Sequence, residues 1–500
     1  MNDFIAIKNN ETILLKEIPL LAYTDFLSMN TTLQLKEDQH CVNYFGYRSA
    51  AGLRLICCMA NDTEGTILIS SSEIASVETT YPSFSAHHLA FQCFERELHE
   101  QFGIQYADHP WLKPLRFAHD RHDKTSRIEN YPFYQIKSEE LHEVGVGPIH
   151  AGVIEPGHFR FICNGEQILH LEIQLGFQHR GIEQLFLSRE NLLQRTILAE
   201  SIAGDTVAGH TTTFVNLWES LCNNPAGEDL QFSRTLAIEL ERMAIHTGDL
   251  SAISNDIAYQ LGSSVFGRLR TPLINFFQSW CGNRLAKGLL RAGHNHFYFT
   301  ADLAEQLENV MDSFEPDYKE MFTEFKTQPS VLERLEKTGV VTREQLHSIG
   351  AVGLTARASG LDRDIRNTHP HDMYELLNHK MITKHHGDVY SRTQIRNEEI
   401  LQSIGYIRRM LKSIPKESIS RKPMPTPQAD SFTIALTEGW RGEICHCAII
   451  DKNGELIRYK IKDPSIHNWL ALALAVRNNE ISDFPICNKS FNLSYCGHDL

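Results

Sequence analysis

The pattern of hydrophobic and polar positions divides the chain into a mixed first part and a long helical middle. Residues 1 to about 125 combine short β-type runs with one long helical pattern at 87–102. Alternation of apolar and polar residues favours strands, and recurrence every three or four residues favours helices, so this part predicts a small α+β domain. The β-type runs lie at 12–15, 42–47, 53–59 and 66–70.

The pattern changes near residue 139. Residues 139–161 are rich in Gly, Pro and His and predict two short strands joined by a turn. The helical period dominates from Arg180 to about residue 325, and successive long helices indicate a bundle core. We expect helices at 181–200, 206–221, 231–249, 263–290 and 299–326 and, after a Gly-containing interruption at 350–366, at 392–413.

A proline-rich connector at residues 414–430 precedes the last part of the chain. Proline fits neither a helix interior nor a central strand, so Pro415, Pro423, Pro425 and Pro427 predict an irregular link to a strand–helix segment at 431–500. The predicted fold class is therefore α+β. A small α+β domain at 1–125 precedes a mainly helical domain at 126–500.

Charge and hydropathy narrow the choice of partners. Among the 500 residues, 48 Lys and Arg stand against 62 Asp and Glu, a net charge of −14. Because binding of a phosphate backbone needs a basic stripe, we expect no nucleic-acid partner. No stretch has the roughly 18 to 20 apolar residues that span a bilayer, and the start of the chain lacks the layout of an export signal. Any membrane association is expected through partner subunits.

The eleven cysteines do not form a disulfide framework, and no CxxC pair is present. The missing CxxC spacing excludes zinc-ribbon and redox-dithiol sites. Strand alternation predicts that Cys445 and Cys447 lie on one face of a strand. Core packing is the favoured role for this pair, and a functional thiol pair is the alternative.

Polar side chains that need partners concentrate at the predicted element ends. If these turns converge on one cleft, they form a site of cations and carboxylates suited to proton transfer or to capture of a polar ligand. The alternative is a set of separate solvated or capping ion pairs. The groups are His150, Glu155 and His158 in the Gly-Pro turn, His179 and Arg180 with Glu183, His210, Arg357 with Asp362, and Glu438 with Arg441.

Motifs for several common chemistries are missing. The sequence has no GxGxxG after a strand, no GxxxxGK[ST] and no GxSxG, so nucleotide binding and serine hydrolysis are not expected. Three histidine pairs lack the i, i+4 spacing of HExxH, which disfavours metal binding by them. They are His294 and His296, His369 and His371, and His385 and His386.

Residues 95–116, ERELHEQFGIQYADHPWLKPLR, resemble the signature of the small peripheral-arm subunit of respiratory complex I, the NuoC type. His99 stands where an acidic residue is usual in that signature. Later pieces resemble the neighbouring NuoD-type subunit and, more closely, the large subunit of membrane-bound nickel–iron hydrogenases such as that of formate hydrogenlyase. These pieces are GPIHAGVIEPGHFRF, FQHRGIEQL, AESIAGDTVAGH, RTLAIELERMAIHTGDL, GLTARASGLDRDIR, GDVYSRTQIRNEEI and EGWRGE.

The chain departs from the hydrogenase pattern at the metal ligands. In the family motif ERxCGxCxxxH, the two cysteine positions correspond to Ala203 and Thr206. In the carboxyl-terminal DPCxxC motif they correspond to Ser494 and Gly497, with Cys496 out of step. A nickel–iron centre needs soft thiolates, so the resemblance implies a cysteine-less branch without that centre and without hydrogenase activity. A hydrogenase with unusual ligands is a minor alternative.

The quinone-reducing relatives use a Tyr and a His to contact the quinone headgroup. The Tyr position holds Ile202 here, and the second His of the GPxHxxxH turn falls on Ile154, with His158 four residues further on. Because an Ile side chain cannot donate a hydrogen bond to a quinone oxygen, the acceptor expected here is quinone-like or unidentified.

The resemblance implies a peripheral-arm subunit of a membrane-bound oxidoreductase complex, with electron transfer to that acceptor coupled to ion translocation. It implies iron–sulfur clusters on a small NuoB-like partner, NuoH-like and antiporter-like membrane partners, and a position on the cytoplasmic side of the membrane. The alternative is a non-catalytic subunit that joins a soluble module to the membrane subunits. The expected cleft residues are His150, Glu155, His158, His179, Arg180, Glu183, His210, Arg357, Asp362 and Arg441.

Overall fold

The computed structural model describes residues 3–49, 52–150, 154–416 and 424–500. A mixed α/β body comes first and a mainly helical body follows, so the α+β fold class is confirmed. Pro423 and part of the predicted connector lie outside the described residues. Pro415, Pro425 and Pro427 lie inside them and belong to no helix or strand, in agreement with the backbone restrictions of proline.

The first body is a sheet with helices packed on it. Its elements are β1 (Ile5–Ile7), β2 (Thr12–Leu14), β3 (Leu20–Leu21), α1 (Tyr23–Gln34), β4 (Gln39–Arg48), β5 (Leu53–Asn61), β6 (Thr66–Ile74), β7 (Thr80–Pro82), α2 (Gln92–Phe102) and β8 (Gln105–Ala107). The sheet has the order β1-β6-β5-β4, with β3 parallel to β6. The strands expected at 42–47, 53–59 and 66–70 lie inside β4, β5 and β6. Helix α1 was not predicted.

The second body opens with an antiparallel sheet of order β11-β10-β9 and continues with helices. Its first elements are β9 (His142–Val146), β10 (His158–Asn164), β11 (Gln167–Gln174), α3 (Ile182–Ser188), α4 (Leu192–Ala199), α5 (Val207–Leu221), α6 (Glu228–Asp256), α7 (Gln260–Cys281) and α8 (Ala301–Thr327). Helices α6, α7 and α8 pack around a common apolar core. None of the helices in the described ranges is long and apolar enough to cross a membrane.

Short helices and one more long helix complete the bundle before the last sheet. They are α9 (Pro329–Leu335), α10 (Arg343–Ile349), α11 (Gly353–Arg357), α12 (Ile365–Thr368), α13 (Tyr374–Leu377) and α14 (Val389–Leu411). The carboxyl-terminal part consists of β12 (Ser431–Glu438), β13 (Glu443–Ile450), β14 (Leu456–Lys462), α15 (Ser465–Ala475), α16 (Phe484–Phe491) and α17 (Tyr495–Asp499).

Local signals explain where the predicted helices were wrong. The helix expected at 181–200 is two helices, because the Asn191 side chain accepts the Leu193 amide at 2.8 Å and begins α4. The helix expected at 263–290 ends at Cys281, because Gly282 adopts a left-handed conformation with φ of +74°. The helix expected at 87–102 corresponds to α2, which begins at Gln92 rather than at residue 87.

The last sheet joins the two bodies. Its order is β14-β13-β12-β2, so a strand from the first body forms one edge. Cys445 and Cys447 lie on one face of β13, as predicted, with their sulfur atoms 3.8 Å apart. They pack with Cys58 of β5 in an apolar cluster between the two bodies. Burial raises the pKa of both thiols well above its usual value, which agrees with a packing role.

A buried ion cluster also ties the bodies together. The Lys460 ammonium of β14 lies 2.5 and 2.6 Å from the two carboxylate oxygens of Glu97 in α2 and 2.9 Å from Glu183 in α3. Arg116 donates to Glu97 as well, at 2.6 Å. Burial opposes the charge of Glu97, but the two cations outweigh it and hold its pKa at about 2. Each buried charge of this cluster is therefore stabilised by the opposite charges beside it, and the loss of one member leaves the others uncompensated.

Replacing Lys460 with Met is expected to lower the free energy of unfolding by about 3–5 kcal/mol, because the substitution leaves two buried carboxylates without their shared cation. The matched control is Arg268→Met, which breaks an ion pair with Asp317 whose side chains are 63% and 46% exposed. That change is expected to cost less than about 1 kcal/mol. Urea unfolding of both variants makes the comparison, and equal losses would contradict the role given to Lys460.

Candidate functional site

The carboxyl-terminal segment is held by three guanidinium groups from distant parts of the chain. We call Arg116, Arg180 and Arg441 the arginine clamp. The last carbonyls of a helix have no partner within the helix, and a guanidinium has five donors and no acceptor, so the two suit each other. The hydrogen bonds run from Arg116 to the carbonyl of His498 at 2.8 Å, from Arg180 to that of Cys496 at 2.8 Å, and from Arg441 to that of Asn492 at 2.6 Å.

Arg180 brings a second segment to the same place. Its guanidinium also donates to the carbonyl of Ser201 at 2.5 Å and to that of Ile202 at 2.8 Å. Residues 200–206, which connect α4 with α5, therefore lie beside α17. His179 reinforces the contact, because its Nδ1 lies 2.8 Å from the carbonyl oxygen of Asp499. The structure thus brings both predicted residues of the FQHRG turn to the site.

Arg441 holds the partly exposed carboxylate of Asp205 in the site. Its guanidinium donates to the two carboxylate oxygens of Asp205 at 2.7 and 2.6 Å and to the Thr206 hydroxyl at 3.0 Å. It also lies over the Trp440 ring, 3.9 Å from the ring centre. Burial opposes ionisation of Asp205, but Arg441 outweighs burial and lowers the pKa of that carboxyl. The Asp205 side chain is 38% exposed and that of Arg441 only 4%, so the ion pair lies at the edge of the core.

The four positions that correspond to metal ligands in hydrogenases are occupied by groups with other partners. Ala203 is fully buried, and Thr206 bonds to the ion pair. The Ser494 hydroxyl accepts the Gly497 amide at 2.8 Å and so caps α17. A Cβ atom at Gly497 would lie 2.6 Å from Oδ2 of Asp463. Within the described ranges, no group of three or more His, Cys, Asp or Glu side chains is placed to hold a metal ion.

Cys496 does not compensate for these substitutions. Its sulfur lies 3.5 Å from the Ser494 hydroxyl, in a buried environment. Burial raises the pKa of the Cys496 thiol to about 12, and the nearby Glu155 carboxylate adds to the effect. The thiol is therefore protonated at neutral pH and is not a thiolate ligand.

The β9–β10 hairpin carries Glu155 to the amino-terminal end of α17. One carboxylate oxygen of Glu155 accepts the amides of Tyr495 at 3.3 Å and Cys496 at 3.4 Å. A carboxylate is favourable there because the first amides of a helix have no partner within it. Residues 151–153 of this turn lie outside the described residues.

Two histidines stabilise the ends of the same turn. Nε2 of His150 lies 2.8 Å from the Gly157 carbonyl, and Nδ1 of His158 lies 3.1 Å from the Gly147 carbonyl. Ile154, at the position of the second family His, is 43% exposed. His150 and His158 therefore lie on the hairpin that borders the site.

His210 approaches the site from the first turns of α5. Its Nε2 lies 3.1 Å from Oδ2 of Asp463, the carboxylate that faces Gly497. Both side chains are buried. Burial opposes the charge of Asp463, but the hydrogen bond and charge of His210 outweigh it and hold its pKa at about 2. Asp463 is thus an anion behind the Asp205–Arg441 pair.

Two of the sequence-predicted pairings are wrong. Arg357 does not pair with Asp362, which is exposed and accepts the Thr383 hydroxyl. Arg441 pairs with Asp205 rather than Glu438. For Arg357 the physical reason is burial, because a fully buried guanidinium selects the carboxylates that are buried with it. The buried carboxylates around Arg357 are Glu399 at 2.9 Å, Glu438 at 3.5 Å and Asp364 at 3.7 Å.

The cluster around Arg357 lies apart from the arginine clamp but supports it. Arg242, which belongs to this cluster through Glu239 and Glu399, donates to the carbonyls of Glu438 at 2.8 Å and Gly439 at 3.2 Å. These carbonyls begin the turn that carries Arg441. Burial raises the pKa of Glu438 to about 8, with Asp364 adding and Arg357 opposing.

Glu183 also lies away from the exposed pair, with Lys460. The structure therefore brings together His150, Glu155, His158, His179, Arg180, His210 and Arg441, and it places Glu183, Arg357 and Asp362 elsewhere.

Three acidic side chains of the site were not predicted from the sequence. Asp205 lies between Ala203 and Thr206, the two replaced ligand positions, and that location was the one available signal. Asp463 follows β14 in a segment without a motif. Glu241 of α6 accepts the amides of Ala208 at 2.7 Å and Gly209 at 3.1 Å. Burial nevertheless raises the pKa of Glu241 to about 8.

Comparison with known proteins identifies two family matches. Residues 20–132 match the family model described as the 30 kDa subunit of respiratory-chain NADH dehydrogenase. Residues 262–433 match the model described as the 49 kDa subunit of the same enzyme. The two matches occur in one polypeptide, in the order expected from the sequence.

Relatives come from both hydrogenases and quinone oxidoreductases. The carbon monoxide-induced hydrogenase of Rhodospirillum rubrum is 28% identical over 350 residues, which cover 70% of this chain and 96% of the relative. Formate hydrogenlyase subunit 5 of Escherichia coli is 25% identical over 441 residues, 85% of this chain and 77% of the relative. The C/D protein of NADH-quinone oxidoreductase from Phocaeicola vulgatus is 26% identical over 460 residues, 84% and 87% of the two chains.

Gly497→Ala is expected to destabilise the chain by about 1–3 kcal/mol, because the added methyl group would overlap the Asp463 carboxylate. The matched control is Gly405→Ala within α14, where a Cβ meets nothing within 4 Å. That substitution is expected to stabilise by up to about 1 kcal/mol. Thermal unfolding distinguishes the two, and tolerance of Ala at 497 would show that the space is open.

Proposed function

We propose that this chain, which belongs to the superfamily of the 30 kDa and 49 kDa complex I subunits and the hydrogenase large subunits, transfers electrons within a membrane-bound oxidoreductase complex. The electrons come from iron–sulfur clusters of a small partner subunit and pass to a quinone-like or other small acceptor at the Asp205–Arg441 pair. The transfer is coupled to ion translocation by membrane subunits, and it does not use a nickel–iron centre.

The exposure of the Asp205–Arg441 pair carries this proposal. Asp205 reaches solvent while Arg441 is buried directly behind it, so an acceptor bound at the Asp205 side chain lies close to the guanidinium without entering the core. The positive charge of Arg441 stabilises negative charge that develops on an acceptor as it is reduced. The carboxylate of Asp205 keeps the guanidinium in a fixed orientation through two hydrogen bonds.

The side chains at the four positions that correspond to metal ligands support a mechanism without nickel. Ala203 and Gly497 supply no ligand atom, and the hydroxyl groups of Thr206 and Ser494 are committed to Arg441 and to the cap of α17. Neither hydroxyl ionises readily at neutral pH, and nickel–iron chemistry requires soft thiolates. The protein groups themselves therefore provide the charge stabilisation and the proton transfer.

Glu155 and the histidines provide routes for protons. Glu155 links the hairpin with α17, and His150 and His158 lie on the same turn. Carboxylates and imidazoles are the usual proton carriers near neutral pH.

An ordinary quinone site is not expected, because the buried Ile202 has no hydrogen-bond donor where the relatives use Tyr. The acceptor headgroup is expected to contact Arg441 instead.

Names of the relatives support the assignment to a complex. They include a membrane-bound hydrogenase subunit and subunits of NADH-quinone oxidoreductases. By this likeness, the proposed partners are a NuoB-like iron–sulfur subunit and NuoH-like and antiporter-like membrane subunits. The proposed location is the cytoplasmic side of the membrane, with attachment through those partners.

Asp205→Asn and Arg441→Gln are each expected to slow acceptor reduction by at least about tenfold, because each removes a charge or an orienting contact at the acceptor. The measurement uses the intact complex purified in detergent. Its iron–sulfur clusters are reduced chemically, a short-chain quinone is added, and cluster reoxidation is followed spectroscopically.

The matched control is Asp317→Asn, which makes the same chemical change in an exposed pair with Arg268. This variant is expected to reoxidise at the wild-type rate. Wild-type rates in both site variants, in complexes that remain assembled, would contradict electron transfer at this pair.

A coupling or scaffold role is the second candidate. The observation that favours it is the use of the Arg180 guanidinium, within the described part of the chain, for backbone carbonyls: those of Gln178, Ser201, Ile202 and Cys496. Side chains committed in this way hold structure rather than ligand. This role predicts that Arg180→Gln releases partner subunits, whereas Asp205→Asn leaves both assembly and activity unchanged.

A further inference from the structure

His40 of the first body is buried between two carboxylates that belong to different bodies. Its Nδ1 lies 3.1 Å from Oδ2 of Asp62, which follows β5, and its Nε2 lies 2.7 Å from Oε2 of Glu443, the first residue of β13. The His40 side chain is 1% exposed, and those of Asp62 and Glu443 are 7% and 3% exposed. None of the three side chains has a role in the acceptor site proposed above.

This arrangement fits the imidazolium form of His40. A neutral imidazole has one N–H donor and one acceptor nitrogen, and its acceptor nitrogen would face a carboxylate oxygen that has no proton to donate. In the imidazolium form both nitrogens donate, and each of them faces a carboxylate. Burial opposes this charge, but Asp62 and Glu443 outweigh burial and raise the pKa of His40 above its usual value. The His40 ring therefore carries a positive charge near neutral pH.

Both carboxylates are ionised. Burial opposes ionisation of Asp62, but the charge of His40 outweighs it and lowers the pKa of that carboxyl. Burial also opposes ionisation of Glu443, and Lys462 together with His40 outweighs it and lowers the pKa of Glu443. Lys462, in β14, donates a hydrogen bond to Glu443. The bridge is thus an anion, a cation and a second anion, the last of which Lys462 also neutralises.

The other titratable groups around His40 do not compete for its proton. Arg363, between α11 and α12, is a cation and opposes the charge of His40. Burial lowers the pKa of His369, which follows α12, and that of His347 in α10. Burial keeps the pKa of His467 in α15 well below its usual value. These three imidazoles are neutral at neutral pH, so within this group the proton resides on His40.

We propose that His40 is a pH-sensitive connection between the two bodies, which holds one proton at neutral pH and releases it to solvent at alkaline pH. With the proton bound, His40 donates to Asp62 of its own body and to Glu443 of the other. Release of the proton leaves one ring nitrogen without a hydrogen, and its lone pair then faces a carboxylate. The contact between β4 and β13 loosens as a result.

Other contacts keep this change local. The pairing of β2 with β12 and the Lys460 cluster also join the bodies, and neither includes His40. The two bodies are therefore expected to stay together when His40 is neutral, with the loosening confined to the region where β4 meets β13.

The direction of the pH dependence follows from the direction of each shift in pKa. Because the pKa of His40 is raised in the folded chain, its contribution to stability is complete below about pH 6.5 and is lost as the pH rises through the raised pKa. The pKa values of Asp62 and Glu443 are lowered, so their contribution is lost only in acid, as the pH falls through those lowered values. The connection is strongest between these two limits.

Nuclear magnetic resonance of the full chain, labelled with 15N in histidine, tests the charge directly. The His40 signal is identified by its loss in His40→Gln or by its shift in Asp62→Asn, so one folded variant suffices. Both ring nitrogens of His40 are expected to be protonated at neutral pH, with a titration midpoint above that of the exposed His119. If no histidine stays protonated above the His119 midpoint, the proposal is overturned, and this outcome needs no variant.

Asp62→Asn is expected to lower the His40 midpoint by at least about one pH unit, because it removes one of the two anions that stabilise the imidazolium. The matched control is Asp451→Asn in the exposed β13–β14 turn, which is expected to leave that midpoint unchanged. An unchanged midpoint in a folded Asp62→Asn chain would overturn the proposal.

Hydrogen exchange measured by mass spectrometry tests the loosening. At pH 7, His40→Gln is expected to speed exchange in β4 and β13 by at least about threefold over the wild type, because its side chain is never charged. At pH 9, after correction for the intrinsic exchange rate, the wild type is expected to approach the variant. His119→Gln is the control and is expected to match the wild type at both pH values. An equal ratio of variant to wild type at pH 7 and pH 9 would show a structural role without a switch and would overturn the proposal.

The connection does not rest on the proposed electron transfer. Its tests use the isolated chain without an acceptor, and cluster reoxidation in Asp205→Asn and Arg441→Gln is a separate measurement. A raised His40 midpoint beside unchanged reoxidation keeps the connection and removes the acceptor site, whereas a neutral His40 beside slowed reoxidation does the reverse.

Discussion

A buried guanidinium has to find an acceptor for its donors and a counter-charge, and this requirement organises the structure. Two members of the arginine clamp, Arg116 and Arg441, are buried and show the effect most clearly, while the third, Arg180, is exposed. The three side chains of the clamp come from the first body, the start of the helical body and the last sheet, and all three donate to backbone carbonyls of residues 492–498. The segments that carry the site converge because their carbonyls and carboxylates satisfy these cations. The Lys460 cluster applies the same rule between the two bodies.

The clamp does by hydrogen bonding what thiolates and a metal would do by coordination. Residues 200–206 and the carboxyl-terminal helix meet at positions where the hydrogenase pattern has four cysteines, and here Arg180 links the two segments directly. The space beside Gly497 is occupied by Asp463, whose charge is balanced by His210 and Arg441. A site of this kind can carry protons and stabilise charge. Its redox centres are expected on the partner subunit.

The fold was largely predictable because it depends on local periodicity. Strands β4, β5 and β6 and the long helices follow the apolar pattern, and Cys445 and Cys447 share a face as alternation requires. Errors occurred where one polar side chain or glycine decides the end of a helix, as at Asn191 and Gly282.

The site was predictable only in part. Its motif residues were found through a family resemblance, whereas Asp205 and Asp463 depend on contacts across more than two hundred residues. Burial decided the partners of Arg357, and spacing along the chain carries no measure of burial.

The most direct test of this account is the metal content of the intact complex. The complex is purified from cells grown with ample nickel, and its nickel and iron are measured by mass spectrometry beside a nickel–iron hydrogenase relative prepared in the same way. We expect iron from the partner's clusters and nickel far below one atom per chain, because the clamp and Asp463 occupy the place of the ligands. Nickel close to one atom per chain would contradict it.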